Sequence, residues 1–112
     1  MPGLNIQRSP DATEDIRLQT IWYDEHAGKE IAERYVSSFM ETARSLGKQP
    51  DLGRICHFRS RKLANLRCAC MEGAFGKHLV FYRVVGDTLY VFRVLHGMRD
   101  LPRRLLDPPG TE

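Results

Sequence analysis

The sequence predicts an α+β domain: an N-terminal strand and a helical hairpin packed on an antiparallel β-sheet, followed by a short C-terminal helix. Three observations predict this class. Apolar residues recur at helical spacing in the first half of the chain, strand-like segments fill the second half, and a two-residue turn signal joins the last two strands. The 112 residues are enough for one domain, which we assign to residues 1–107, and we expect 108–112 to form a disordered tail.

The first elements are a short strand over residues 4–8 and a helix that begins at Ser9. Serine suits the N-cap position, Pro10 suits the first helical position, and Asp11 lies near the positive end of the helix dipole. We expect this helix to end near Gly28. Trp22 on it could be a stacking platform for nucleic acid, although an aromatic residue on an amphipathic helix more often belongs to the core.

The second helix has the clearest pattern in the chain. Ile31, Tyr35, Phe39 and Ala43 recur every four residues and form a broad apolar stripe, which Gly47 should end. Two helices joined at a glycine predict an antiparallel helical hairpin. Residues 47–60 then have the composition of a loop.

Three strands should follow, at residues 66–72, 78–85 and 88–95, with Gly86-Asp87 as the turn between the last two. If Val85 lies opposite Thr88, both faces of this hairpin are apolar. One face holds Val80, Tyr82, Val84, Leu89, Val91 and Leu95, interrupted by Arg93. The other holds Leu79, Phe81, Arg83, Tyr90, Phe92, Val94 and His96.

The helical hairpin can cover only one of these two faces. The second face needs a folded-back tail or a partner chain, because small soluble domains rarely expose such a patch. A bulge in the hairpin would change this assignment, since a slip of one residue exchanges the faces. A short helix near residues 101–106 is the candidate tail.

Charge is divided unevenly along the chain. Residues 1–51 carry 6 Lys/Arg and 9 Asp/Glu, whereas residues 52–112 carry 11 and 5. A basic half indicates an anionic partner, either nucleic acid or an acidic protein segment, although a solvated basic face explains the bias equally well. With no apolar run of roughly 20 residues and no secretory signal, the expected location is cytoplasmic.

The three cysteines, Cys56, Cys68 and Cys70, do not indicate a disulfide framework or a zinc site. The Cys-x-Cys spacing is shorter than the usual zinc-binding spacing, and in a strand these two side chains simply share a face. Glycine-rich phosphate loops are absent from the sequence. We therefore expect no metal or other cofactor.

A cluster of titratable groups at the end of the last strand suggests general acid–base cleavage of RNA. Such cleavage needs a base, an acid and cations that hold the phosphate, and Arg83, Arg93, His96 and Arg99 could supply them. The alternative is structural, with Arg93 and Arg99 paired to Asp100 or to acids of the first helix. The residues alone leave both interpretations open.

The stretch HLVFYRVVGDTLYVFRVLHGMRDL, residues 78–101, resembles the C-terminal signature of ParE toxins, within the RelE/ParE superfamily of plasmid-stabilisation, type II toxin–antitoxin proteins. Residues 50–54, PDLGR, resemble the loop that follows the helices in that family. The resemblance covers about residues 8–101. It implies the same fold, and it implies a ParD-like antitoxin whose C-terminal segment wraps the toxin, with operator DNA reached only through the antitoxin.

From the resemblance and the second apolar face we expect two binding surfaces. Antitoxin-binding residues would be Leu79, Phe81, Arg83, Tyr90 and Phe92. Residues binding the target, DNA gyrase, would be Arg93, His96 and Arg99.

The resemblance also offers a choice between two activities. The ribonuclease branch of the superfamily usually carries a tyrosine near its C-terminus, and here no tyrosine follows Tyr90. This favours a gyrase poison that acts by binding, without catalytic residues. The alternative is a ribosome-dependent mRNA endonuclease using Arg83, Arg93 and His96, and a third possibility is a degenerate toxin that only binds its partner.

Overall fold

The structure is a computed structural model that describes residues 3–110. The order of its helices and strands is β1 (Asn5–Arg8), α1 (Pro10–Ala27), α2 (Lys29–Lys48), β2 (Arg54–Ile55), β3 (Arg67–Cys70), β4 (His78–Val85), β5 (Thr88–His96) and α3 (Arg103–Leu106). Within these residues, five strands form one sheet in the order β1-β5-β4-β3-β2. The predicted α+β class is confirmed. None of the helices described over residues 3–110 is long and apolar enough to cross a membrane.

The sheet is mixed, because β1 lies parallel to β5 while the other neighbours are antiparallel. A parallel neighbour needs a long crossover connection, which the helical hairpin and the later strands supply here. β1 therefore forms one edge of the sheet beside the strand that ends in the titratable cluster. β2, at the opposite edge, falls in the segment predicted as loop.

The two helices begin and join where the sequence predicted. The Ser9 hydroxyl accepts a hydrogen bond from the Ala12 amide at 2.9 Å and donates one to the Phe92 carbonyl at 2.6 Å, so the N-cap also fixes α1 to β5. Gly28 joins the helices with φ of +98°, which favours glycine. α2 continues one residue past Gly47, whose carbonyl accepts a hydrogen bond from the Leu4 amide.

The β4–β5 hairpin has the predicted turn, with Val85 opposite Thr88, but its register shifts further along. Tyr82 lies opposite Val91, whereas Phe81 lies opposite Arg93, so Phe92 is an extra residue on β5. Such a bulge turns every later side chain of its strand to the other face.

The predicted faces are therefore right up to the bulge and wrong after it. Val94 packs in the core under the helices together with Val80. Leu95 packs on the opposite face with Leu79 and Phe81.

The second apolar face is covered by the chain itself. Leu63 and Leu66, from the segment between β2 and β3, and Leu105, from α3, close over Leu79 and Phe81. Part of this cover is the expected folded-back tail, and part is the segment between β2 and β3, which was not among the expected covers. Beyond α3, Gly110 lies next to Leu18 of α1, and residues 111 and 112 of the predicted tail lie outside the described residues.

Candidate functional site

The centre of the predicted cluster, Arg93, is an internal anchor. Its Nε and Nη2 donate to the two carboxylate oxygens of Asp15 at 2.7 and 2.9 Å, and its side chain is only 3% exposed. Nη1 donates to the carbonyls of Arg104, Leu105 and Asp107, at 2.9, 3.3 and 2.6 Å. One guanidinium thus joins α1, β5 and the C-terminal segment.

Asp15 has a second partner, the amide of Val94, at 3.0 Å. β1 pairs with β5 only as far as Val91, so this amide lies at the open edge of the strand. The Asp15 carboxylate accepts the hydrogen bond from Val94 that a neighbouring strand would otherwise accept. Hydrogen bonds to backbone groups therefore satisfy the remaining polar atoms of the buried Asp15–Arg93 pair. These additional hydrogen bonds offset the desolvation cost of burying two opposite charges.

The structural alternative for Arg93 is therefore the observed one, a pair with an acid of the first helix. Its guanidinium offers no surface to a phosphate or to a target in this conformation. Asp100 pairs instead with Arg103, at 3.2 Å. The other two predicted target-binding residues, His96 and Arg99, are exposed and lie at the surface.

Two histidines face each other across the ends of β4 and β5. His78 lies opposite His96 in the register, and their ring centroids are 4.8 Å apart. Nε2 of His78 shares a hydrogen bond of 2.8 Å with the Tyr23 hydroxyl. Burial, helped by the neighbouring His96, lowers the pKa of His78 to about 4. The inner ring is thus neutral near pH 7, and only the outer ring meets solvent.

An open cleft of about 720 Å³ lies between α1, the end of β5 and the C-terminal segment. Arg93 and Arg104 line it, but both are engaged, since Arg104 donates to the carbonyls of His96 and Arg99, each at 3.0 Å. Among the aromatic and ring side chains that line this cleft, His96 and Trp22 are exposed. The Trp22 ring is 51% exposed and stacks on His26 at 4.3 Å, so it does not belong to the core.

On the other face of the hairpin, Arg83, Phe92 and Tyr90 form a half-buried surface. The Arg83 guanidinium lies over the Phe92 ring, 5.2 Å from its centroid, and Nη2 donates to the Lys62 carbonyl at 2.9 Å. Its Nε is buried and has no acceptor within the described part of the chain. An unpaired buried donor beside two aromatic rings suits a ligand that brings a carbonyl or carboxylate.

The other two predicted antitoxin-binding residues lie deeper. Leu79 and Phe81 are 4% and 1% exposed, beneath α3 and the segment between β2 and β3. A partner would reach them only by displacing that cover. In this conformation the surface of the predicted site consists of Arg83, Tyr90 and Phe92.

Cys56 and Cys68 are not placed for nucleophilic chemistry. Burial raises the pKa of Cys68 to about 11, with a smaller contribution from the neighbouring Cys56, whose pKa burial also raises. Thiols in such surroundings stay protonated at neutral pH. Within residues 3–110, no group of three His, Cys, Asp or Glu side chains is arranged to hold a metal ion.

Sequence reasoning missed the two residues that organise this site, Asp15 and His78. The sequence predicts only that Arg93 could pair with some acid of the first helix, and it places His78 as the first residue of a strand. The one signal available was a pair of opposite charges, Asp15 and Arg93, on elements predicted to pack together. The sequence could not indicate which acid of α1 would face the strand.

Comparison with known proteins identifies relatives of this chain. Residues 6–101 match the family of ParE toxins of the type II toxin–antitoxin system parDE. Among solved structures, a chain described as the chromosomal ParDE TA system from P. aeruginosa matches with a TM-score of 0.69 and 16% identity, over 88% of this chain and 100% of that one. No curated protein sequence matches the chain. At this identity the solved structure supports the fold, while the sequence match spans most of the chain.

Proposed function

We propose, since the chain belongs to the ParE toxin family of type II toxin–antitoxin systems, that it is neutralised by a ParD-like antitoxin and, when free, inhibits DNA gyrase by binding to it. Its site of action would then be the cytoplasm. Encoded with its antitoxin on a plasmid, it would stabilise that plasmid in the cell population.

The observation that carries this proposal is the engagement of Arg93. General acid–base cleavage of RNA needs cations free to meet the phosphate. Arg93 instead makes two bonds to Asp15 and three to the C-terminal segment. Because these bonds lie within the protein, Arg93 stabilises the fold. The exposed His96 and Arg99 beside it would then form a binding surface.

The antitoxin is expected on the surface formed by Arg83, Tyr90 and Phe92. An antitoxin segment that becomes ordered on binding would lay apolar side chains against the two aromatic rings, and a carbonyl or carboxylate would meet the buried Nε of Arg83. Coupled folding of this kind buries roughly 1,000–3,000 Å². Leu79 and Phe81 would support this surface from beneath.

Supercoiling by purified gyrase tests the target. We expect the purified chain to inhibit supercoiling, and we expect a double variant H96A/R99A, altered only at exposed side chains, to need at least about tenfold more protein for the same effect, as when an anchoring contact of an interface is lost. Full supercoiling at saturating toxin would refute the gyrase proposal. A ParD-like antitoxin, to be sought in the neighbouring reading frame and added first, should restore supercoiling.

The antitoxin surface is tested separately by titration calorimetry with that ParD-like protein. The double variant Y90A/F92A should bind at least about tenfold more weakly, since truncation of aromatic anchors commonly costs 2 kcal/mol or more. The H96A/R99A variant serves as the matched control and should bind normally. Equal weakening by both variants would contradict two separate surfaces.

The second candidate is a ribosome-dependent mRNA endonuclease. The observation that favours it is His96, an exposed imidazole at an open cleft, with the exposed Arg99 three residues further along the chain. Primer extension on translated messages should then show specific cuts that H96A abolishes. An intact message pool together with inhibited gyrase would remove this candidate.

A further inference from the structure

A second charged surface lies on the side of the sheet opposite α1 and α2. Residues 52–71 contain five Lys or Arg side chains and no Asp or Glu. Four of them are exposed and, within residues 3–110, belong to none of the ion pairs present: Arg54, Arg59, Arg61 and Lys62. The fifth, Arg67, lies 3.6 Å from Asp51. We call residues 54–62 the basic loop.

The basic loop is held against the protein from beneath. Leu63 and Leu66, which follow it, are buried in the second apolar cluster. The Cys56 amide donates to the Leu66 carbonyl at 2.9 Å, and Arg83 donates to the Lys62 carbonyl at 2.9 Å. The cations therefore project from an ordered backbone, so little conformational entropy is lost when they meet a ligand.

The charge of the basic loop differs from that of an ordinary solvated surface. On α2, three glutamates lie among the four cations, and Lys29 pairs with Glu33 at 3.9 Å. Mixed signs of this kind are usual on soluble proteins. Residues 54–62 contain no acidic side chain, and their positive charge is mainly arginine, which pairs with phosphate in a bidentate manner.

We propose that the basic loop binds the phosphate backbone of duplex DNA, independently of base sequence. The choice of duplex DNA rests on the proposed function, since gyrase acts on that polymer. An acidic peptide is less favoured here, because within residues 54–62 Ile55 is the one large apolar side chain more than half exposed, against four exposed cations. This contact differs from operator recognition, which the antitoxin would supply.

The test is fluorescence anisotropy of a labelled duplex with the purified full chain, over a range of salt concentrations. Each phosphate contact contributes about 0.9 to the slope of log K against log salt. The triple variant R59A/R61A/K62A should bind at least about tenfold more weakly at ~0.1 M salt, with a slope shallower by about 2.7. The matched control R34A/R44A/K48A removes three exposed cations of α2 and should bind as the unmodified chain does.

Several outcomes would overturn the proposal. One is equal binding by the triple variant and the unmodified chain. Another is tighter binding of a single-stranded RNA or of a polyglutamate peptide than of the duplex at the same salt. A chain that inhibits gyrase without binding duplex DNA refutes this inference alone. A chain that binds the duplex through the basic loop but leaves gyrase active refutes the proposed function alone.

Discussion

Asp15 is the residue on which the candidate site most depends. Its carboxylate meets Arg93 through two hydrogen bonds and also accepts from the Val94 amide at the open edge of β5. Arg93 in turn holds three carbonyls of the C-terminal segment. A single carboxylate on α1 therefore fixes the strand end beside which His96 and Arg99 are presented.

Replacement of Asp15 by asparagine should be strongly destabilising. The amide keeps the shape but leaves the charge of Arg93 buried and unpaired, which typically costs about 3–5 kcal/mol of unfolding free energy. Urea denaturation followed by circular dichroism measures this loss. The control is E14Q, which breaks the exposed pair with Arg17 and should leave stability nearly unchanged. Similar small effects of both variants would show that the buried pair contributes little.

His78 should make stability depend on pH. Its folded-state pKa of about 4 lies below the ordinary value of 6.5, so between these values the unfolded chain binds a proton that the folded chain does not. The contribution is constant above pH 6.5 and is lost as the pH falls towards 4, with a limiting slope of about 1.4 kcal/mol per pH unit.

Urea denaturation at several pH values between about 5 and 6.5 measures this slope. In the variant H78Q it should flatten, whereas H57Q, altered at an exposed histidine, should keep it. An unchanged slope in H78Q would assign the pH dependence to other groups.

At the scale of elements, α3 acts as part of the core despite having only four residues. Leu105 is 2% exposed and covers Leu79 and Phe81, while the adjacent Leu106 is 46% exposed. The short helix is held by side-chain contacts and by Arg93, since four residues cannot be stable as an isolated helix.

The variant L105A should lower the unfolding free energy by about 2–5 kcal/mol, as for other buried leucines. The neighbouring variant L106A should cost far less, because its side chain already meets solvent. Amide hydrogen exchange should also show faster exchange around Leu79 and Phe81 in L105A. Equal costs for the two variants would mean that α3 does not seal the second face.

The β4–β5 hairpin shows what could and could not be predicted from the sequence. Its strand bounds and its turn follow from local chemistry, because alternation and a Gly-Asp dipeptide act over a few residues. The bulge at Phe92 does not, since it coincides with contacts from distant residues, the Ser9 hydroxyl on the Phe92 carbonyl and the Asp15 carboxylate on the Val94 amide. For that reason the face of Val94 was predicted wrongly.

At the scale of the whole molecule, the chain forms three layers. The helical hairpin covers one face of the sheet, and the basic loop region with α3 covers the other. The fold class was predictable because each layer has its own local pattern. The site was predictable only in part. How the layers pack together decides which side chain among Arg93, His96 and Arg99 turns inward. The burial of Arg93 depends on its pairing with Asp15, an acid 78 positions away in the sequence.

The parallel pairing of β1 with β5 has a consequence for how the protein is made. Asn5 pairs with Thr88, so 83 residues must be added after Asn5 before its partner exists. At about 5–20 residues per second, translation takes roughly 4–17 s to cover that interval. The carbonyls that hold Arg93 are made later still. The growing chain therefore spends seconds on the ribosome without the sheet edge or the strand end that the finished protein presents. The edge can form only after Val91 has been made, and the strand end is fixed only after residue 107 has been made.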